Sequence, residues 1–128
     1  MPKPIMTKQK FINQWIRHFA KNVSSKDIDS YVKNQYIWHI FSWDLLCRDT
    51  FLVGDEARQA YDKEDKSNCI FCETFGSGVS EAMKEDYISS KSIDMNVTEL
   101  YVVSKDYSWT YIKTHEGDLC GPYFMKLT

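Results

Sequence analysis

The chain predicts an α+β domain: a mostly antiparallel sheet of about four or five strands with N-terminal helices packed on one face. Three observations carry that expectation. Apolar residues near the N-terminus recur at helical spacing, the C-terminal quarter holds two β-rich runs joined by a short polar stretch, and no repeat or linker-like tract divides the sequence. With 128 residues, 43% of them hydrophobic and 15% aromatic, and with only 5 Gly and 3 Pro, residues 1–128 make a single domain. A chain of that length buries about two-thirds of its unfolded surface.

Thr7 is placed to cap a first helix in which Phe11, Ile12, Trp15, Ile16, Phe19 and Val23 fall within one apolar arc, with Lys10, Arg17 and Lys21 opposite. Residues 1–26 hold six Lys/Arg and no acid, which leaves +6 in this segment against −8 in the remainder. Such a face suits phosphates or an anionic membrane. A polar face with three cations is ordinary, so the favoured reading is the solvated side of a core-packed helix complementing an acidic body, and the acidic balance disfavours nucleic acid. Ser24 or Ser25 then caps a short helix running through Tyr31 and Val32.

The aromatic and β-branched run Tyr36–Phe41 predicts a central strand covered on both faces, with His39 at the core or at the edge of a cleft. Leu45, Leu46 and Cys47 read as a turn of helix. After Gly54, Asp55 caps a helix with Ala57, Ala60 and Tyr61 on its narrow face. Cys69–Phe75 has strand composition and is broken by Gly76-Ser77-Gly78. From Ser80 a weak helix carries Ala82, Met83 and Tyr87, whereas Ile93, Met95 and Val97 alternate as in extended chain.

Leu100–Val103 and Trp109–Ile112 predict an antiparallel hairpin, and the absence of Asn-Gly or Asp-Gly between them predicts a turn of four or five residues. Alternation puts Trp109, Tyr111 and Lys113 on one side with His115, and places Glu116 on the other. His115 and Glu116 therefore form no dyad unless the strand ends at Thr114 or bulges. Gly117, Gly121 and Pro122 mark an exit into a loop.

W-T-Y-I-K-T-H-E at 109–116, followed by G-P-Y-F at 121–124, with Y-V-V-S-K-D upstream and the early block Y-I-W-H-I-F-S-W, resembles a family of small Gram-positive bacterial proteins that carries a domain of unknown function. The resemblance runs from Phe11 to Phe124. It implies a soluble bacterial α+β protein and transfers no catalytic residue. A looser likeness exists to bacterial toxin-immunity proteins that end in hairpins of this type.

Four constellations carry candidate chemistry. Cys69 and Cys72 form a C-x-x-C, but Ile70 and Phe71 supply neither the tight turn of a zinc knuckle nor a helix N-terminus, so structural thiols are expected. Cys120 lies five residues from His115, which matches no established nucleophile–base arrangement. His115 with Glu116, or with His18 and His39, lacks paired-ligand spacing. The aromatic residues, Trp38, Trp43, Trp109, Tyr111, Tyr123 and Phe124, either pack the core or anchor an interface.

No phosphate-cradling loop, nucleophile elbow or metalloprotease motif is present, and no cofactor or metal is expected. The N-terminus lacks the apolar stretch of a signal peptide, which points to the cytosol, reduced thiols and no membrane partner. The leading expectation is a non-enzymatic protein-binding or inhibitory, immunity-like protein. Its binding residues would be Trp109, Tyr111, His115, Glu116 and Tyr123, set beside Asp106, Glu116 and Asp118, and its partner a basic protein. The alternative is a small enzyme or ligand-binding protein with His115 and Glu116 at a cleft. Nucleic-acid binding through Lys10, Arg17 and Lys21 comes third.

Overall fold

A computed structural model of the chain describes residues 6–21, 23–28, 39–42, 46, 48–73, 78–81, 83–116 and 121–127. Expectations placed on Tyr31, Val32, Tyr36–Trp38, Trp43, Leu45, Cys47, Gly76, Ser77, Ala82, Gly117, Asp118 and Cys120 lie outside the described residues.

The first helix, α1, spans Lys8–Phe19. Thr7 caps it by accepting the Lys10 N–H at 3.1 Å, which satisfies one of the orphan donors of the first turn. Phe11, Trp15 and Phe19 bury completely or nearly so, as the apolar spacing predicts. A short α2, Ser25–Asp27, is capped in the same way by Ser24. His39–Ser42 forms α3 rather than the end of a strand. The strand propensity of that run yields to burial, because Ile40 and Phe41 both enter the core.

Six strands, among the described residues, form one antiparallel sheet: β1 (Leu52–Val53), β2 (Cys69–Glu73), β3 (Gly78–Ser80), β4 (Leu100–Ser104), β5 (Trp109–Lys113) and β6 (Tyr123–Lys126). Their order across the sheet is β1-β6-β5-β4-β2-β3. The sheet is thus wider than the four or five strands expected, because the G-P-Y-F block opens a strand where a loop was expected. β6 pairs with β5 on one side and with β1 on the other.

The helix α4, Asp55–Lys63, begins one residue earlier than a cap at Asp55 would allow. Asp55 is its first helical residue, and Gly54 precedes it at φ 70°, a left-handed conformation that favours glycine. α5 covers Ser90–Asn96 and is capped by Ser89, whose hydroxyl accepts the Ser92 N–H at 3.1 Å. The alternating Ile93, Met95 and Val97 therefore sit on and just after a helix, with Ile93 buried and Met95 73% exposed.

Helices cover both faces of the sheet. One face packs Ile70, Cys72, Tyr101, Val103, Ile112 and Tyr123 against Phe11, Trp15 and Phe19 of α1 and Ile40 and Phe41 of α3. The other packs Cys69, Phe71, Leu100, Val102, Trp109 and Tyr111 against Ala57 and Tyr61 of α4 and Ile93 of α5. β4, between β2 and β5, is consequently buried at every position. That matches its unbroken apolar run, and it takes the central place expected of Tyr36–Phe41.

The β4–β5 hairpin closes through Lys105–Ser108, a four-residue turn as expected. The Ser104 hydroxyl organises it, donating to the Asp106 carboxylate at 2.8 Å and accepting the N–H groups of Ser108 at 2.9 Å and Trp109 at 3.2 Å. Hydrogen bonds from Ser108 and Ser104 hold the Asp106 carboxyl below its usual range. Tyr107 adopts φ 57°, uncommon for a bulky residue, while its ring stacks on His18 of α1.

One buried polar link fastens α1 to the sheet. Trp15 donates its indole N–H to Thr110 Oγ1 at 3.0 Å, and the Thr110 hydroxyl donates to the Val102 carbonyl at 2.8 Å. Thr110→Val should leave the indole N–H without an acceptor and destabilise the fold by about 1–3 kcal/mol in urea unfolding. The same substitution should cost clearly less in a Trp15→Phe background. Equal costs in both backgrounds would show that the link contributes nothing.

Candidate functional site

The site starts from a carboxylate in an unusual place. Glu99 directly precedes β4 and is only 1% exposed. Removing an ionised carboxylate from water costs several kcal/mol unless donors replace the hydration. Three do so here. Glu99 Oε1 accepts the backbone N–H of His115 at 3.2 Å and faces His115 Nδ1 at 2.8 Å, and Oε2 accepts the Tyr101 hydroxyl at 3.3 Å.

Hairpin register supplies this geometry. β4 and β5 pair Leu100 with Lys113, so Glu99 and the residues after Lys113 meet at the open end of the hairpin. β5 ends at Lys113, and beyond it strict alternation no longer holds. His115 can therefore turn back toward Glu99 and also bring Nε2 to 3.5 Å from Glu116 Oε1. The exception allowed for a strand ending near Thr114 is what the structure adopts, and the imidazole lies between two carboxylates.

An ionised carboxylate only accepts hydrogen bonds, so the ring nitrogen facing Glu99 must be the donor. In the neutral ring, Nε2 then holds the lone pair. The His115 side chain is 28% exposed and the Glu116 side chain 44% exposed, so the ring is partly open to solvent while Nδ1 is committed to Glu99. Beside it lies a concavity of about 350 Å3, lined by Asp94–Val97, Thr98 and Lys113–His115. Lys113 belongs to the wall: its ammonium donates to the Val97 carbonyl and, at 3.4 Å, to that of Asp94. It thus places a cation on the negative C-terminal end of α5.

The aromatic residues expected at a binding surface lie in the core instead. Trp109 is 4% exposed, Tyr111 0% and Tyr123 5%. Tyr111 stacks on Tyr61, Trp109 on Phe124 and Tyr123 on Phe41. Because helices cover both faces of the sheet, an alternating aromatic strand has no solvent side on which to display a ring. Of the five residues expected to bind, the structure brings His115 and Glu116 together and adds Glu99, which the sequence reading missed. The available signal was a carboxylate immediately before an all-apolar strand, at the hairpin end that carries a histidine.

The other constellations stay apart. His18 stacks on Tyr107 and its Nδ1 lies 2.8 Å from the Gln14 carbonyl oxygen. Cys69 and Cys72 are buried on opposite faces of the sheet. Burial pushes the Cys69 thiol up to about 11 and the Cys72 thiol up to about 12. Among the described residues there is no group of three or more His, Cys, Asp or Glu able to hold a metal ion, and no helix is long and apolar enough to cross a membrane.

Fold and site together define an α+β protein with helices on both faces of an antiparallel sheet and a buried-carboxylate–histidine corner at the end of its C-terminal hairpin. The chain belongs to the family described as domain of unknown function (DUF4275), whose model matches residues 6–124. No curated protein and no solved structure matches it.

Two outcomes follow from this chemistry. Glu99→Gln keeps the shape but turns an acceptor-only group into one that must present an N–H toward a donor, and should cost about 1–3 kcal/mol in denaturant unfolding. A cost indistinguishable from zero would mean that the buried charge is not held as described. Raised thiol pKa values leave Cys69 and Cys72 protonated at neutral pH. Peptide-resolved alkylation should therefore run about a hundredfold slower at Cys69 and about a thousandfold slower at Cys72 in the folded protein than in urea, and should accelerate as pH rises. Equal rates would contradict their burial.

Proposed function

We propose that the protein binds a small polar ligand at the Glu99–His115 corner and acts in the cytosol as a ligand-binding protein. One observation supports this above the others: a fully buried carboxylate is spent on fixing the orientation of a single, partly exposed histidine ring. An apolar residue would fill the space before β4 at lower cost, so packing alone does not account for Glu99. The arrangement resembles those in which a carboxylate sets the tautomer of a working imidazole.

The ligand's chemistry follows from what faces the concavity. His115 lines the concavity and Glu116 stands beside it, so Nε2 and the Glu116 carboxylate offer acceptors there, whereas the Asp94 carboxylate is engaged by Arg58 at 2.9 Å and Lys113 by the α5 carbonyls. The complementary ligand carries N–H or O–H donors, as an amine, amide or polyol does. Nε2 accepts such a proton and, once protonated, can return it, so the corner is equipped for proton exchange as well as binding. Occlusion of a basic partner by an aromatic patch has less to support it, since Trp109, Tyr111 and Tyr123 are buried.

A panel of amines, amides and polyols screened by thermal shift, then titrated against the wild type and a folded His115→Ala variant, tests the proposal. At least one donor-bearing compound should stabilise the wild type and lose about tenfold or more in affinity with His115→Ala. Equal binding to both proteins by every hit, or no binding across the panel at millimolar concentration, would overturn it.

A further inference from the structure

The apolar arc of α1 is wider than the stripe it buries. Phe11, Trp15 and Phe19 are 0–2% exposed, whereas Ile16, on the same helix, and Val23, just beyond its end, remain only partly covered. With Ile28 they line an open concavity of about 380 Å3 whose other lining residues include Asn13, Arg17 and Lys21. This concavity shares no residue with the His115 corner.

Its two cations are in an unusual position. Among the described residues, neither Arg17 nor Lys21 takes a hydrogen bond or ion pair. Arg17 lies in the last turn of α1 and Lys21 two residues beyond its end, and residues 1–26 contain no acid to offset them. The helix dipole favours cations in a last turn. Both border a hollow in which the aliphatic side chains of Ile16, Val23 and Ile28 stand beside polar Asn13 and Ser25.

We propose that this hollow is a second binding site, for a small amphiphilic anion: a carboxylate or sulfonate carried on a hydrocarbon or aryl body. Ile16, Val23 and Ile28 would take the apolar part and Arg17 and Lys21 the charge. Nucleic acid fits less well, since a phosphate backbone calls for an array of cations over a polar surface, and here two cations border aliphatic side chains on a protein of net charge −2. A lining divided between aliphatic and polar or charged side chains suits a ligand that is itself divided in this way.

Amide-resolved NMR titration with octanoate tests the site, with acetate supplying the charge without the body and 1-octanol the body without the charge. The spectrum itself reports whether each variant is folded. Octanoate should shift amides between Asn13 and Ile28, and acetate and 1-octanol should bind at least about tenfold more weakly. Arg17→Gln/Lys21→Gln should weaken octanoate about tenfold or more, while Lys10→Gln, on the same helix but outside the hollow, should change it by less than about twofold. Equal binding of octanoate and 1-octanol, equal effects of the double variant and Lys10→Gln, or no shift at millimolar octanoate would overturn the proposal. So would binding confined to phosphatidylglycerol vesicles or duplex DNA.

Discussion

Because β4 buries every residue from Leu100 to Ser104, the sheet needs a covering layer on each face, and most of the architecture answers that need. An antiparallel sheet often leaves one face to water, and its strands then alternate apolar and polar. Here α1 and α3 close one face and α4 and α5 the other, so β2, β4 and β5 keep polar residues, apart from Thr110, to their C-terminal ends. The same constraint explains the 15% aromatic content. Tyr61 stacks on Tyr111 on one side of the sheet and Phe41 on Tyr123 on the other, and two such layers consume rings that would otherwise be open to solvent.

Polar groups inside this double core are few, which is why Glu99 stands out. Thr110 is buried but serves as a relay between Trp15 and the Val102 carbonyl. Thr110 is neutral, and its two hydrogen bonds satisfy it. Glu99 brings a carboxylate, which needs several donors before burial is tolerable, and His115 supplies contacts from both its backbone and its ring. The fold therefore fixes the ring through both the backbone and the imidazole. A ring so held meets solvent in one orientation, which favours a preorganised contact over a surface histidine that samples several rotamers.

How much of this the sequence revealed depended on the range of the interaction. Local patterns were legible: the Thr7 cap and the Phe11, Trp15, Phe19 spacing gave α1, and the runs Leu100–Val103 and Trp109–Ile112 gave the hairpin and its four-residue turn. Cys69–Glu73 was legible as a strand for the same reason. Short elements whose strand character comes only from their neighbours were not. β1 has two residues, and β6 follows Gly121 and Pro122, which read as a loop until β5 and β1 supply partners on either side. In α3, His39–Ser42, tertiary burial overrode a β-branched, aromatic composition. The candidate site was half legible. His115 and Glu116 were visible as residues, but their alternation argued them apart, and Glu99, sixteen positions earlier, had no spacing signal linking it to His115.

Of the aromatic set, Trp109, Tyr111, Tyr123 and Phe124 lie in the core for a related reason, and their burial redirects where recognition should be sought. Composition counts rings without saying how many layers must be filled, so a residue set rich enough for an interface proved only sufficient for two cores. What the fold leaves at its surface is different in kind: a carboxylate-fixed imidazole at the hairpin end, and a flank at the end of α1 where aliphatic side chains meet Arg17 and Lys21. The first is costly to build because it buries a charge. The second requires no buried charge and gains strength only when an anion arrives. A chain divided into +6 and −8 can maintain both, since the acids and the N-terminal cations occupy separate stretches and the cations of α1 have no acid of their own segment to neutralise them.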